Sequence, residues 1–338
     1  FYISGSHSNN SSGQDRPNRS RLVSVNSSFN VLGYYSHLKT DLLAWDSTNA
    51  HGLGANFLGL TASAAIGVIP ESNGLDGFNI EGLAFAPTSS TAYVGFRAPL
   101  VNPNTGAGNR THALIIPVTN YTSLAASVSG GSASTSAFGA PIFLDLGGRG
   151  VRSIECVSNG CIIIAGSANA VSDFAVYTWS GNPADAPKQR SLDLSGISVD
   201  GSPEGLMLTG STLSPDTALT IVTDNGDKVW YPFGALNGII AKDLSIANHR
   251  KFRVDRVTLG SLVDEPAILV TNTVSLIEGS NTDITVSLNT QPLSDVVITV
   301  TPLSSDVTAS PTSITLNAIN WATGVTVSLT GVEDTLHE

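Results

Sequence analysis

The stretch GSHSNNSSGQDRPNRSRL, Gly5 to Leu22, places His7, Asp15, Arg16, Arg19 and Arg21 in one polar loop. Only 13% of the 338 residues are charged, so this local cationic excess stands out. Solubility does not require it, whereas holding an anion does. Further along, Glu81 in NIEGLAF, Arg97 in YVGFRAPL, Arg152 in GVRSIEC and Glu204 in SPEGLML each sit in a short strand-like run beside a glycine. Guanidinium groups grip carboxylates and phosphates through paired hydrogen bonds. A carboxylate beside them can serve as a general base or hold a cation. The candidates are therefore Glu81, Glu204 and His7 for catalysis, and Arg97, Arg152, Arg16 and Arg19 for an anionic ligand such as a small molecule or glycan. The same charges could instead pair with one another and lock strands together.

Other chemistries lack their motifs. The sequence has no Gly-x-Ser-x-Gly elbow, no His-Glu-x-x-His, no Cys-x-x-Cys and no phosphate loop. GLGANFLGL has glycines but no lysine and reads as a loop with a short helix. Asp224 and Asp227 flank Asn225-Gly226 and are expected to stabilise a turn. The two cysteines, Cys156 and Cys161, flank a Ser-Asn-Gly turn in IECVSNGCIII. A hairpin there would set the sulfurs opposite each other, so a local disulfide can form in an oxidising compartment. Two reduced, packed thiols are the alternative.

The elements that must position these residues read as β-strands. TAYVGFRA, HALIIPVT, CIIIAGSA, FAVYTWSG and FRVDRVTL are short apolar or alternating runs bounded by Gly, Asn, Asp and Pro. Asn-Gly in VTDNGDKVW predicts a further hairpin. Tyr34 to Leu43 and Gly54 to Ile66 are the best helix candidates. NIEGLAF, GVRSIEC and SPEGLML recur as strand entries, each leading into a second strand that ends in a polar group. Such repeats predict an all-β chain with a β-propeller of five to seven blades over residues 1–262. The polar segment Asn102 to Ala140 reads as an insertion, with SLAASVSGGSASTSAFG as a mobile surface loop.

From residue 263 the texture changes to period-two alternation, predicting a second, sandwich domain over residues 263–338. All sixteen Lys and Arg residues precede it, while Asp264, Glu265, Glu278, Asp283, Asp295, Asp306, Glu333, Asp334 and Glu338 fall within it. Such a tail repels nucleic acid and anionic membranes. No apolar run is long enough for a membrane span. The strand-like start, FYISGS, suggests a mature or trimmed product.

Two resemblances add to this reading. LIEGSNTDITVSLNTQP, DVTASPTSITLNAINWATGVTVSLTGV and VEDTLHE resemble the Calx-beta family of immunoglobulin-like sandwiches over residues 268–338. Some members bind calcium, and the resemblance would put ligands at Glu278, Asp334 and Glu338. The chain stops before the family's last strands, so the expected sandwich is incomplete and its edge open. Residues 1–262, through GSHSNNSSGQDRPNRSRL, FNIEGLAF, VGFRAPL, LDLGGRGVRSIE, IIIAGSA and SPEGLML, resemble an uncharacterised bacterial propeller-like family related to esterase-like phytases. That family has one more strand before the position of Phe1.

Three functional classes follow. The favoured one is an extracellular or cell-surface structural and adhesive β-protein. It would pair with other copies or neighbouring β-domains through the open sandwich edge. The others are an anion-binding propeller with its site at the central funnel, and a calcium-dependent, phytase-like phosphoesterase.

Overall fold

The computed structural model describes residues 1–70, 77–126, 135–168, 173–199, 201–263, 267–270, 274–292 and 294–333. The chain is all-β, built of several antiparallel sheets, none closed into a barrel. It divides into two compact units, Phe1–Leu262 and Val263–Glu338.

The first unit is a succession of antiparallel meanders. Strands β1 (Tyr2–Ser4), β2 (Leu22–Val25) and β3 (Val31–Tyr35) make the first sheet. The second holds β4 (Asn79–Phe85), β5 (Ala92–Ala98), β6 (Ala113–Val118) and β7 (Ile142–Leu144). The third holds β8 (Gly150–Val157), β9 (Gly160–Gly166), β10 (Phe174–Trp179) and β11 (Lys188–Gln189). The fourth holds β12 (Ser202–Leu208), β13 (Ala218–Asp224) and β14 (Arg253–Thr258). Each sheet starts with its own edge strand, and these edge strands adjoin: β1 contacts β4, β4 contacts β8, and β8 contacts β12.

The sheets stack face to face, so an inner sheet is covered on both sides. This explains why CIIIAG is apolar without interruption. On β9, Cys161, Ile163 and Ala165 face the core shared with the second sheet, while Ile162 and Ile164 face the core shared with the fourth. Residues two apart share a face, and both faces here are dry. The same alternation splits β6, with Ala113 and Ile115 in one core and Leu114, Ile116 and Val118 in the other. Helix α1 (Leu38–Ser47) closes the outer face of the second sheet's core through Leu38 and Leu42. The edge strands pack tightly. A Cβ added at Gly82 on β4 would lie 2.7 Å from Cγ1 of Val151 on β8, and one at Gly95 on β5 would lie 2.8 Å from the same atom. Only glycine permits that approach.

Several expectations need correction. The described residues of the first unit form four sheets, not five to seven. Asn102–Ala140 is not a simple insertion, because it contains β6, a fully buried strand. Part of its low-complexity run, residues 127–134, lies outside the described residues. The Asn225-Gly226 turn does not close a hairpin. Asn225 is buried and its Oδ1 accepts the backbone N–H of Arg253 at 2.6 Å, so β14 takes the place beside β13. The first helix begins at Leu38, because Tyr34 and Tyr35 pair with Val23 and Leu22 of β2. Cys156 and Cys161 are cross-strand partners on β8 and β9 and form a disulfide.

The second unit has a four-stranded antiparallel sheet in the order β15 (Ile268–Val270), β16 (Asn281–Leu288), β20 (Val325–Gly331), β18 (Val307–Ser310). A separate pair joins β17 (Val296–Thr299) to β19 (Ser313–Leu316). Val286 and Val327 of the larger sheet share a small core with Ile298 and Ile314 of the pair.

Candidate functional site

The three recurrent strand entries, β4, β8 and β12, share one irregularity. Pairing slips between Ile80 and Gly82, between Val151 and Ser153, and between Pro203 and Gly205. The residues in the slips are Glu81, Arg152 and Glu204. A β-bulge leaves its extra residue out of the ladder and re-aims its side chain. Here the three re-aimed side chains meet. Arg152 Nη1 donates to Glu81 Oε2 at 3.3 Å and to Glu204 Oε1 at 3.1 Å, while its Nη2 donates to the carbonyl of Ser167 at 3.1 Å. Arg97, near the end of β5, donates from Nη1 to Glu81 Oε1 at 3.3 Å. Asn79 Nδ2 donates to the same oxygen at 2.8 Å.

The cluster is graded in exposure. The side chain of Arg152 is 4% exposed and that of Arg97 6%, against 17% for Glu81 and 35% for Glu204. Burial, reinforced by the Arg97 charge, pulls the Arg152 guanidinium below its ordinary value, and the charges of Glu81 and Glu204 oppose that pull. Glu204 is pushed up to about 7, first by burial and then by the charge of Glu81, with Arg152 partly offsetting both. Glu204 therefore exchanges its proton near neutrality, whereas an ordinary glutamate is fully ionised there.

The cluster opens into a cavity of about 440 Å³, within the size range of small-molecule sites. Glu81, Arg97 and Glu204 line it together with Arg19 and Asp224, and Lys242 stands at its edge, paired with Asp227. Ser6 and Ser8 of the β1–β2 loop add hydroxyls, and Arg19 Nη1 donates to Ser8 Oγ at 3.3 Å. Glu81 also borders a second cavity, of about 290 Å³, shared by Tyr2, Ile80, Ser153 and Gly205. All four edge strands contribute to that smaller space.

Of the residues singled out from sequence, Glu81, Arg97, Arg152, Glu204 and Arg19 come together. The remainder of the basic loop disperses. Arg16 is exposed, with Nη2 3.5 Å from Gln14 Oε1; Asp15 pairs with Lys39 at 3.0 Å; Arg21 lies over the ring of Tyr34. His7 is fully buried outside the cavity lining. Its Nε2 sits 3.5 Å from Ser4 Oγ, and burial, aided by the Lys39 charge, lowers it to about 3, leaving a neutral ring. Asn79 and Lys242 were not recognised from sequence, and Asp224 was read only as a turn residue, a role it also has, its Oδ1 accepting the Gly226 N–H at 2.8 Å. Asp224 ends β13 opposite Ser202 as Ala98, the neighbour of Arg97, ends β5 opposite Asn79.

In the second unit Glu278 is bridged to Gly331, and Glu333 packs over Gly279. Asp334 and Glu338, the other expected calcium ligands, lie outside the described residues. Among the described residues no three His, Cys, Asp or Glu side chains gather closely enough to hold a metal ion. Among them, too, no helix is long and apolar enough to cross a membrane.

Residues 62–229 match the model of an uncharacterised family, described as Protein of unknown function (DUF3616). The matched stretch contains Glu81, Arg97, Arg152, Glu204 and Asp224, but neither Arg19 nor Lys242. No curated protein and no solved structure matches the chain. The resemblances to esterase-like phytases and to Calx-beta domains gain no support from these matches.

Proposed function

We propose that residues 1–262 are a propeller-like domain that binds a small anionic ligand in the cavity above the Glu81–Arg152–Glu204 cluster. The observation that carries this is the repeated bulge, which spends three irregular strands on delivering charged side chains to one open cavity. A purely structural lock would be served by a dry plug. The propeller reading draws on four successive meanders whose edge strands adjoin and border one small cavity. Arg19, Arg97 and Lys242 around the larger cavity, with Arg152 beneath, face Glu81, Glu204, Asp224 and Asp227, the partner of Lys242, so the charges are even. Uptake of a proton by Glu204 tips that balance toward an anion.

An extracellular setting is part of the proposal, supported by the Cys156–Cys161 disulfide and the low charge content. The second unit then serves as an immunoglobulin-like spacer or adhesive module. The half-exposed apolar edge strand β15, with Ile268, Leu269 and Val270, favours contact with further β-structure. The test is calorimetric titration of the full chain at pH 6 with acetate, inorganic phosphate and glucuronate. Saturable binding of at least one, lost in Arg97→Gln, is expected. Binding of none of them refutes the ligand-binding reading and leaves the charges as a lock between sheets.

A further inference from the structure

The cavity is not built for a bare anion. Asn79 is 5% exposed and borders it, yet Asn79 Oδ1 is buried with no hydrogen-bond partner. Its amide orientation is fixed by chemistry. The Nδ2 group donates to Glu81 Oε1 at 2.8 Å, and a flipped amide would set oxygen against carboxylate oxygen. Asn79 therefore keeps an unpaired acceptor buried beside the cavity, within a residue that lines it. An unmet buried acceptor costs stability until a donor arrives.

Two more exposed carboxylates in the same lining have acceptor capacity to spare. Glu204 accepts one Arg152 hydrogen bond on Oε1, and Asp224 accepts the Gly226 N–H on Oδ1 at 2.8 Å; a carboxylate has about four acceptor sites. A compact anion with few donors, such as inorganic phosphate, would meet Arg97 and Arg19 but would also face Glu204 and Asp224 across the same small space. A ligand with a negative group for the guanidiniums and several hydroxyls for the acceptors meets both demands. Among the described residues the apolar lining is Ile69 and Pro70, which again suits a polyhydroxylated ligand.

Resting on the anion-binding reading above, we infer that the ligand is a hydroxylated carboxylate of the sugar-acid kind, its carboxylate held by Arg97 and Arg19 and its hydroxyls donated to Asn79, Glu204 and Asp224. The experiment compares glucuronate, acetate, inorganic phosphate and neutral glucose on the intact chain by calorimetry. Glucuronate is expected to bind at least tenfold more tightly than the other three. Asn79→Leu should shrink the ratio of glucuronate to acetate affinity by about tenfold. Asp224→Asn should act in the same direction and stands in if Asn79→Leu fails to fold.

The outcomes separate the two ideas. If acetate or phosphate binds as well as glucuronate, or the glucuronate advantage survives both substitutions, the sugar-acid inference falls and the anion site stands. Glucose binding as tightly as glucuronate also overturns the inference, because the carboxylate would then contribute nothing. If no anion binds at all, both fall together.

Discussion

Replacing Arg152 with methionine tests whether charge, and not shape, organises the centre of the first unit. Methionine keeps much of the length and apolar stem but removes both guanidinium hydrogen bonds to Glu81 and Glu204, the bond to Ser167, and the stacking 5.5 Å above Phe174. Breaking a buried ion pair from one side costs about 3–5 kcal/mol. Glu204 is 35% exposed, so solvent screens part of that loss and the lower end, about 3 kcal/mol, is expected at pH 8. At pH 5 the outcome differs. Glu204 already sits at about 7, and losing the cation that holds it down drives it higher, so it is protonated and no longer repels Glu81. The loss at pH 5 should shrink to about 1–2 kcal/mol, the cost of the missing hydrogen bonds and packing. Urea midpoints of the full chain, followed by circular dichroism at both pH values, read this difference directly. The double variant Arg152→Met/Glu204→Gln should lose the pH dependence. Equal losses at pH 5 and pH 8 in the single variant would refute the electrostatic account and leave Arg152 as a packing residue.

Three further outcomes are expected. Because the folded-state value of Glu204 lies above its ordinary one, the folded protein binds the extra proton and its stability should fall as pH rises from about 4.5 to 7; in Glu204→Gln that slope should flatten, and anion affinity should no longer weaken over the same range, as potentiometric and calorimetric titrations would show. His7, lowered to about 3 from 6.5, binds its proton more readily unfolded, so it contributes stability that is complete above pH 6.5 and drains away toward pH 3; its imidazole signals in nuclear magnetic resonance should stay those of the neutral ring down to about pH 4, and a midpoint near 6 would contradict its burial. Gly82→Ala should destabilise by about 1–3 kcal/mol in a denaturant titration, since the new methyl meets Val151 and Ile154, and an unchanged midpoint would mean that β4 and β8 are not in contact.

What the sequence made legible followed from periodicity. NIEGLAF, GVRSIEC and SPEGLML were recognisable as equivalent strand entries, and the third residue of each, Glu81, Arg152 or Glu204, is the one that the bulge turns toward the cluster. The bulges themselves leave no pattern in one sequence, so which face these residues would take was not legible. Local composition misled where tertiary partners decide the outcome. The basic loop looked like one cluster, yet Lys39 captures Asp15 and Tyr34 captures Arg21, leaving Arg19 at the cavity. Asn225-Gly226 has the residues of a hairpin turn, but the buried Asn225 side chain holds a strand that returns from residue 253. Lys242 reaches the cavity from the intervening excursion, where no repeat marks it.

The cavity wall is drawn from both extremities of the first unit: Arg19 precedes the second strand and Lys242 follows the thirteenth, with 222 intervening positions. A recombinant piece trimmed to residues 62–229 would keep the three bulged strands while discarding both of those cations and the serine loop. Such a piece would be a poor reagent for ligand discovery, and a negative screen with it would say little about the intact molecule.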